Sequence, residues 1–152
     1  PTPQYAQGFD RRSTKDKPAF AVRSQHFTAL GDSLVMCRFT SERGFGLFIG
    51  EPYATMVRAV TGWDVTVDEL ERVGERIINL ERLFNVREGV RRAQDVLPWK
   101  VMHEPIVDGP SAGMHCPPAE LAVMLDEYYA LRGWDPDGVP TAARLAALGL
   151  RG

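Results

Sequence analysis

The sequence predicts an all-α domain of irregular, multi-helix architecture with long Pro/Gly-rich loops. Three observations carry that prediction. Apolar residues recur at three- and four-residue steps in two long stretches. No stretch of useful length alternates apolar and polar residues as a half-buried strand would. Pro and Gly gather between the periodic stretches. With 152 residues, 44% hydrophobic and 25% charged, the chain is long enough for one packed core without covalent staples.

Residues 1–18 read as a lead-in segment, because Arg11, Arg12, Lys15 and Lys17 cluster among Pro and Gln with no apolar periodicity. The domain proper is residues 19–152. Residues 20–39 turn apolar, with Phe27, Leu30 and Leu34 near helical spacing, which predicts a helix broken or bent at Gly31-Asp32. The Gly-rich stretch 43–50 reads as a flexible connection, and a short helix opens at Pro52 and stops at Gly62. Thr66 and Glu69 have the spacing of a capping box, in which hydroxyl and carboxylate each satisfy a free N–H of the first turn. Beyond that cap Leu70, Val73, Ile77, Leu80 and Phe84 form one apolar stripe, ended by Gly89. Residues 95–118 hold five prolines and two glycines and are expected to be irregular. A second long helix starts at Pro118 or Ala119, buries Leu121, Met124, Leu125 and Tyr128 against the first stripe, and ends at Gly133. After a turn at 134–138, with Trp134 and the Tyr128-Tyr129 pair as its anchors, comes a last helix capped by Thr141 and closed by Gly149.

Composition excludes several function classes. The 18 basic and 20 acidic residues give a net charge of −2, which leaves no broad basic surface for nucleic acid. No apolar run approaches the ~20 residues of a membrane span. Two cysteines and no secretory leader point to a reducing cytoplasm. Two thiols and three scattered histidines also fall short of a complete zinc or iron–sulfur site, so a metal centre here needs ligands from elsewhere. Gly44, Gly46 and Gly50 have GxGxxxG spacing with no preceding strand and fail as a dinucleotide loop. His26, His103 and His115 read as hydrogen-bonded or surface residues, and Cys116 as a loop or buried thiol.

Asp32 and Cys37 stand out. Five residues apart on one helix, they would lie about 140° around its axis, so one segment would touch two ligands. The carboxylate suits an N–H-rich heterocycle; the thiolate, favoured by Arg38, suits a soft metal. The plain structural roles, Asp32 as a cap and Cys37 as a small core residue, compete with this on spacing alone.

The segment Asp32-Ser33-Leu34-Val35-Met36-Cys37 resembles the Asp-x-x-Gly-Leu-Cys motif of the tungsten- or molybdenum-pterin aldehyde ferredoxin oxidoreductases. Further blocks follow in the same order: Ala59-Val60-Thr61-Gly62-Trp63-Asp64, the run from Leu80 to Gly89, Asp95-Val96-Leu97-Pro98, and the run from Asp126 to Asp135. The resemblance implies the C-terminal helical domain of such an enzyme. It implies that Asp32 and Met36 contact the metal-holding pterin and that Cys37 is one ligand of a [4Fe–4S] cluster. It also implies an activity for the full-length enzyme: aldehyde and water give a carboxylic acid, and electrons leave through the cluster to ferredoxin. The cofactors are then the [4Fe–4S] cluster and a tungsten or molybdenum bis-pterin. The partners are the upstream domains, ferredoxin and the aldehyde, and self-association into a homo-oligomer is allowed. The family's other cluster cysteines and the pterin-binding domain have no counterpart in these residues, so the isolated chain is expected to be inactive. Val35 replaces the motif glycine and Met36 its leucine, and Val35 cannot take a glycine-only conformation without strain. The competing reading is a stand-alone helical interaction or scaffold module without redox activity.

Overall fold

A computed structural model of the chain describes residues 10, 13–46 and 48–150. The fold is all-α. Its helices are α1 (Lys17–Ser33), α2 (Arg38–Phe45), α3 (Glu51–Thr61), α4 (Val67–Arg87), α5 (Trp99–His103), α6 (Pro118–Arg132) and α7 (Ala142–Ala147). Among the described residues the only β-type pairing is an isolated bridge between Trp134 and Pro140, and no helix is long and apolar enough to cross a membrane.

Local sequence sets most of these boundaries. Both halves of the capping box form at α4: Thr66 Oγ1 accepts the Glu69 N–H at 3.2 Å, and Glu69 Oε2 accepts the Thr66 N–H at 2.8 Å. The Thr141 hydroxyl caps α7 through the Arg144 N–H. The expected helices at 52–62, 66–89, 118–133 and 141–149 are all present.

Four expectations are corrected. The first helix does not break at Gly31-Asp32. A lone glycine is tolerated in a helix, and α1 runs on to Ser33, so the break falls at 34–37. The helix opens at Lys17, and the lead-in segment 1–18 lies largely outside the described residues. The Gly-rich connection is shortened from its front, since α2 extends to Phe45. The Pro-rich stretch holds one short helix, α5.

The fourth correction concerns packing. The two long apolar stripes do not pack on each other; α1 packs against both α4 and α6 instead. The buried residues of α4 are Leu70, Gly74, Asn79 and Arg82, whereas Leu80 and Phe84 are 49% and 56% exposed. Apolar counting missed this phase because it skips the glycine and polar positions that face inward. Gly74 allows the helices to approach: a Cβ there would stand 2.7 Å from the His26 carbonyl oxygen. On α6 it is Tyr129 and Arg132 that are buried, while Leu121, Met124, Leu125 and Tyr128 are half-buried. Leu121, Leu125 and Tyr128 border an open groove of about 510 Å³ between α4 and α6, lined also by Ile78, Arg82 and Trp134.

The apolar core is built at the other end of α1, from Phe27, Leu30, Ile49, Tyr53, Ala54, Val57 and Leu70. Tyr53 is fully buried between Phe27 and Phe45, edge-on to both at 5.6 and 5.3 Å. The Phe, Leu, Ile and Val side chains of this core each contribute about 1.5–3 kcal/mol on burial.

Polar side chains join the layers. Arg132, wholly buried, donates from Nη1 to His26 Nε2 at 2.7 Å. A guanidinium only donates, so Nε2 accepts and the ring proton sits on Nδ1, which donates to Glu71 Oε2 at 2.7 Å. The Arg132 charge is thus answered by Glu71 on α4 through a neutral imidazole on α1. Arg82 forms a two-bond pair with Asp95, at 3.0 and 2.7 Å, and donates to the Gly138 carbonyl at 2.7 Å. The Tyr129 hydroxyl donates to the same carboxylate, and Trp134 Nε1 donates to Asn79 at 2.8 Å, so the expected aromatic anchoring of the 134–138 turn is present.

Candidate functional site

The predicted site residues gather where α1 hands over to α2. At this junction the Val35 N–H donates to the Asp32 carbonyl at 3.1 Å and the Met36 N–H to the Gly31 carbonyl at 2.9 Å, with Val35 at φ 57°. That is the Schellman closure of a helix, with Val35 at the left-handed position that glycine normally holds. The strain expected at Val35 is therefore present, and the backbone takes the glycine conformation in spite of it.

Each residue has a distinct setting. Asp32, in the last turn of α1, is exposed. Met36 is half-buried and packs on the apolar core. Asp32 and Met36 line one cavity of about 10 Å³ with Phe27, Gly31, Arg38 and Ser41, so the structure brings these two together. Close to it lies the buried Tyr53 hydroxyl, which has no hydrogen-bond partner among the described residues; a Cβ on Gly31 would stand 3.7 Å from it.

Cys37 is exposed and forms the N-cap of α2. Asp32 and Cys37 consequently do not share a helix, and the 140° relation does not apply. The thiol is held below its ordinary range by the Thr40 N–H first, then the Thr40 hydroxyl and the Phe39 N–H, all at the positive end of α2. Arg38, expected to supply that charge, instead donates from Nε to Glu42 at 2.6 Å. Cys116 behaves oppositely: burial and the nearby Glu120 push its thiol up. Among the described residues no group of three or more His, Cys, Asp or Glu side chains surrounds either cysteine or any other point.

The sequence reading missed the buried polar residues Asn79, Arg82 and Arg132. Charge or amide on a helix reads as a solvated face, and nothing local distinguishes these positions. His26 is a satisfied structural histidine, as expected.

Residues 2–150 match the family described as "Aldehyde ferredoxin oxidoreductase, domains 2 & 3". The chain belongs to the aldehyde ferredoxin oxidoreductase family. Its relatives include the tungsten-containing aldehyde ferredoxin oxidoreductase of Pyrococcus furiosus, 40% identical over 136 residues, which cover 89% of this chain and 21% of that protein. The Thermococcus kodakarensis enzyme of the same name is 38% identical over the same shares. A P. furiosus aliphatic sulfonate oxidoreductase, WOR-like subunit, is 29% identical over 150 residues, 23% of its length. The chain thus spans about one fifth of the length of these curated relatives. Among solved structures, the active-site complex BamBC of benzoyl coenzyme A reductase shares the fold, with a TM-score of 0.67 and 24% identity over 94% of this chain and 20% of that one. The curated relatives named here are oxidoreductases, and the two aldehyde ferredoxin oxidoreductases among them are named as containing tungsten.

Proposed function

We propose that this chain is the C-terminal helical domain of a cytoplasmic tungsten- or molybdenum-pterin enzyme of the aldehyde ferredoxin oxidoreductase type. Its α1–α2 junction supplies one [4Fe–4S] ligand, Cys37, and two pterin contacts, Asp32 and Met36. The observation that carries the reading is the Cys37 thiol, exposed at a helix N-terminus that favours the thiolate, next to Met36 and one short turn from the exposed Asp32 carboxylate. The donor chemistry fits: a soft thiolate open to solvent can take one iron corner, and the other corners require cysteines from upstream domains. Asp32 accepts hydrogen bonds and suits the N–H edge of a pterin, while Met36, anchored in the core, offers it an apolar contact.

When bound, the pterin-held metal and the cluster supply the redox chemistry, in which aldehyde and water yield a carboxylic acid, two protons and two electrons that pass to ferredoxin. The work of this chain is positional. The Schellman closure fixes the spacing between Asp32 and Cys37, and the core beneath Met36 holds that spacing rigid.

The test is iron content. In the complete enzyme Cys37→Ala should lower iron per protein and interrupt electron delivery to ferredoxin, while Cys116→Ala leaves iron unchanged. Full iron in Cys37→Ala, or loss only in Cys116→Ala, would reject the assignment.

A further inference from the structure

We infer that the Val35 side chain covers the iron–sulfur cluster held at Cys37 and keeps water from its sulfurs. The inference rests on the reading that Cys37 is a cluster ligand, and deepens it by giving a role to a residue outside the ligand set.

Five other helices, α2, α3, α4, α6 and α7, close on a glycine at positive φ, namely Gly46 at 80°, Gly62 at 73°, Gly89 at 93°, Gly133 at 67° and Gly149 at 67°. At α1 the equivalent position holds a β-branched residue, for which this conformation is unfavourable. Packing within the chain offers no compensation, because Val35 is 92% exposed. Phe39, on the other side of Cys37, is 81% exposed. An exposed thiol is therefore flanked in sequence by two apolar side chains that stand in water, one of them on a strained backbone. The Schellman hydrogen bonds hold the strained backbone, but the exposed apolar side chains it carries mark a point that another group covers. The group at that point on the present reading is the cluster, whose potential is set in part by solvent access and by hydrogen bonds to its sulfurs. Two methyl groups beside the ligand exclude water that a glycine would admit.

The experiment uses the complete enzyme with Val35→Ala and Val35→Gly, measuring iron per protein, the cluster midpoint potential by titration followed with electron paramagnetic resonance, and the rate of bleaching in air. Val35→Ala keeps a Cβ on the strained backbone and removes the cover; Val35→Gly removes both. With iron content unchanged, both variants should shift the potential upward, since water stabilises the more negative reduced cluster, and both should bleach faster than the wild type. An unchanged potential in Val35→Ala, a shift in Val35→Gly alone, or lost iron in Val35→Ala would each overturn the inference, showing respectively contact with protein rather than cluster, a backbone effect, or a role in assembly. A Cys37→Ala enzyme that keeps its full cluster overturns the ligand reading instead, so the two failures are distinct.

Discussion

The two cysteines differ in ways that a reagent can read. Cys37 is exposed with its thiol held down by N–H groups at the start of α2, whereas Cys116 is half-buried with its thiol pushed up by burial and Glu120. Only thiolate is alkylated, and a lowered pKa enlarges the thiolate fraction at any pH below it. In the isolated, cluster-free chain, iodoacetamide at neutral pH should therefore alkylate Cys37 about 10-fold faster than Cys116. The gap should narrow as pH rises and both thiols ionise. Mass spectrometry of tryptic peptides reads the two sites separately, and equal rates at neutral pH would contradict the helix-terminus account. Residue identity alone pointed to Asp32, Met36 and Cys37, because the motif resemblance covers them. It did not reveal what activates the thiol: Arg38 was the visible charge, and the Thr40 and Phe39 amides act only once α2 exists.

At the scale of elements, the contact between α1 and α4 depends on Gly74, where an added Cβ would meet His26 backbone atoms at 2.7 and 2.8 Å. Gly74→Ala gains about 1 kcal/mol of helix propensity, but the clash is with backbone that cannot rotate away, and overpacking of this kind costs about 1–3 kcal/mol. The clash should win, lowering the urea midpoint. Gly44→Ala in α2 has no neighbour within 4 Å of the new Cβ and should raise it. Stabilisation by both substitutions would mean that α1 and α4 are not held as described. Helix existence and caps were legible in the sequence because Thr66-Glu69, Thr141, Gly133 and Gly149 act locally. The phase of α4 was not, because it is set by Gly74, Asn79 and Arg82, whose inward placement depends on partners distant in sequence: His26, Trp134 and Gly138. The break at Val35 was equally hidden, since the obvious helix-breaker in that stretch, Gly31, stays helical.

For the whole molecule, the chain spans about one fifth of the curated relatives, and its described residues hold one candidate cluster thiolate at the α1–α2 junction. A cluster needs about four thiolates. The 152-residue chain expressed alone, with iron and sulfide supplied anaerobically, should therefore be helical by circular dichroism and colourless. It should also self-associate through the exposed Val35 and Phe39, so Phe39→Ser should shift its elution toward the monomer. A brown monomer with a stoichiometric cluster would require a ligand set that the described residues do not contain. The central claim is that Cys37 is a corner ligand and that Asp32 and Met36 face the pterin. Anomalous scattering at the iron edge, from crystals of the complete enzyme, tests it most directly. The account predicts an iron peak at bonding distance from Cys37 Sγ, with the Asp32 carboxylate and the Met36 side chain against the pterin. A cluster ligated wholly by other residues, with Cys37 Sγ in solvent, would contradict it.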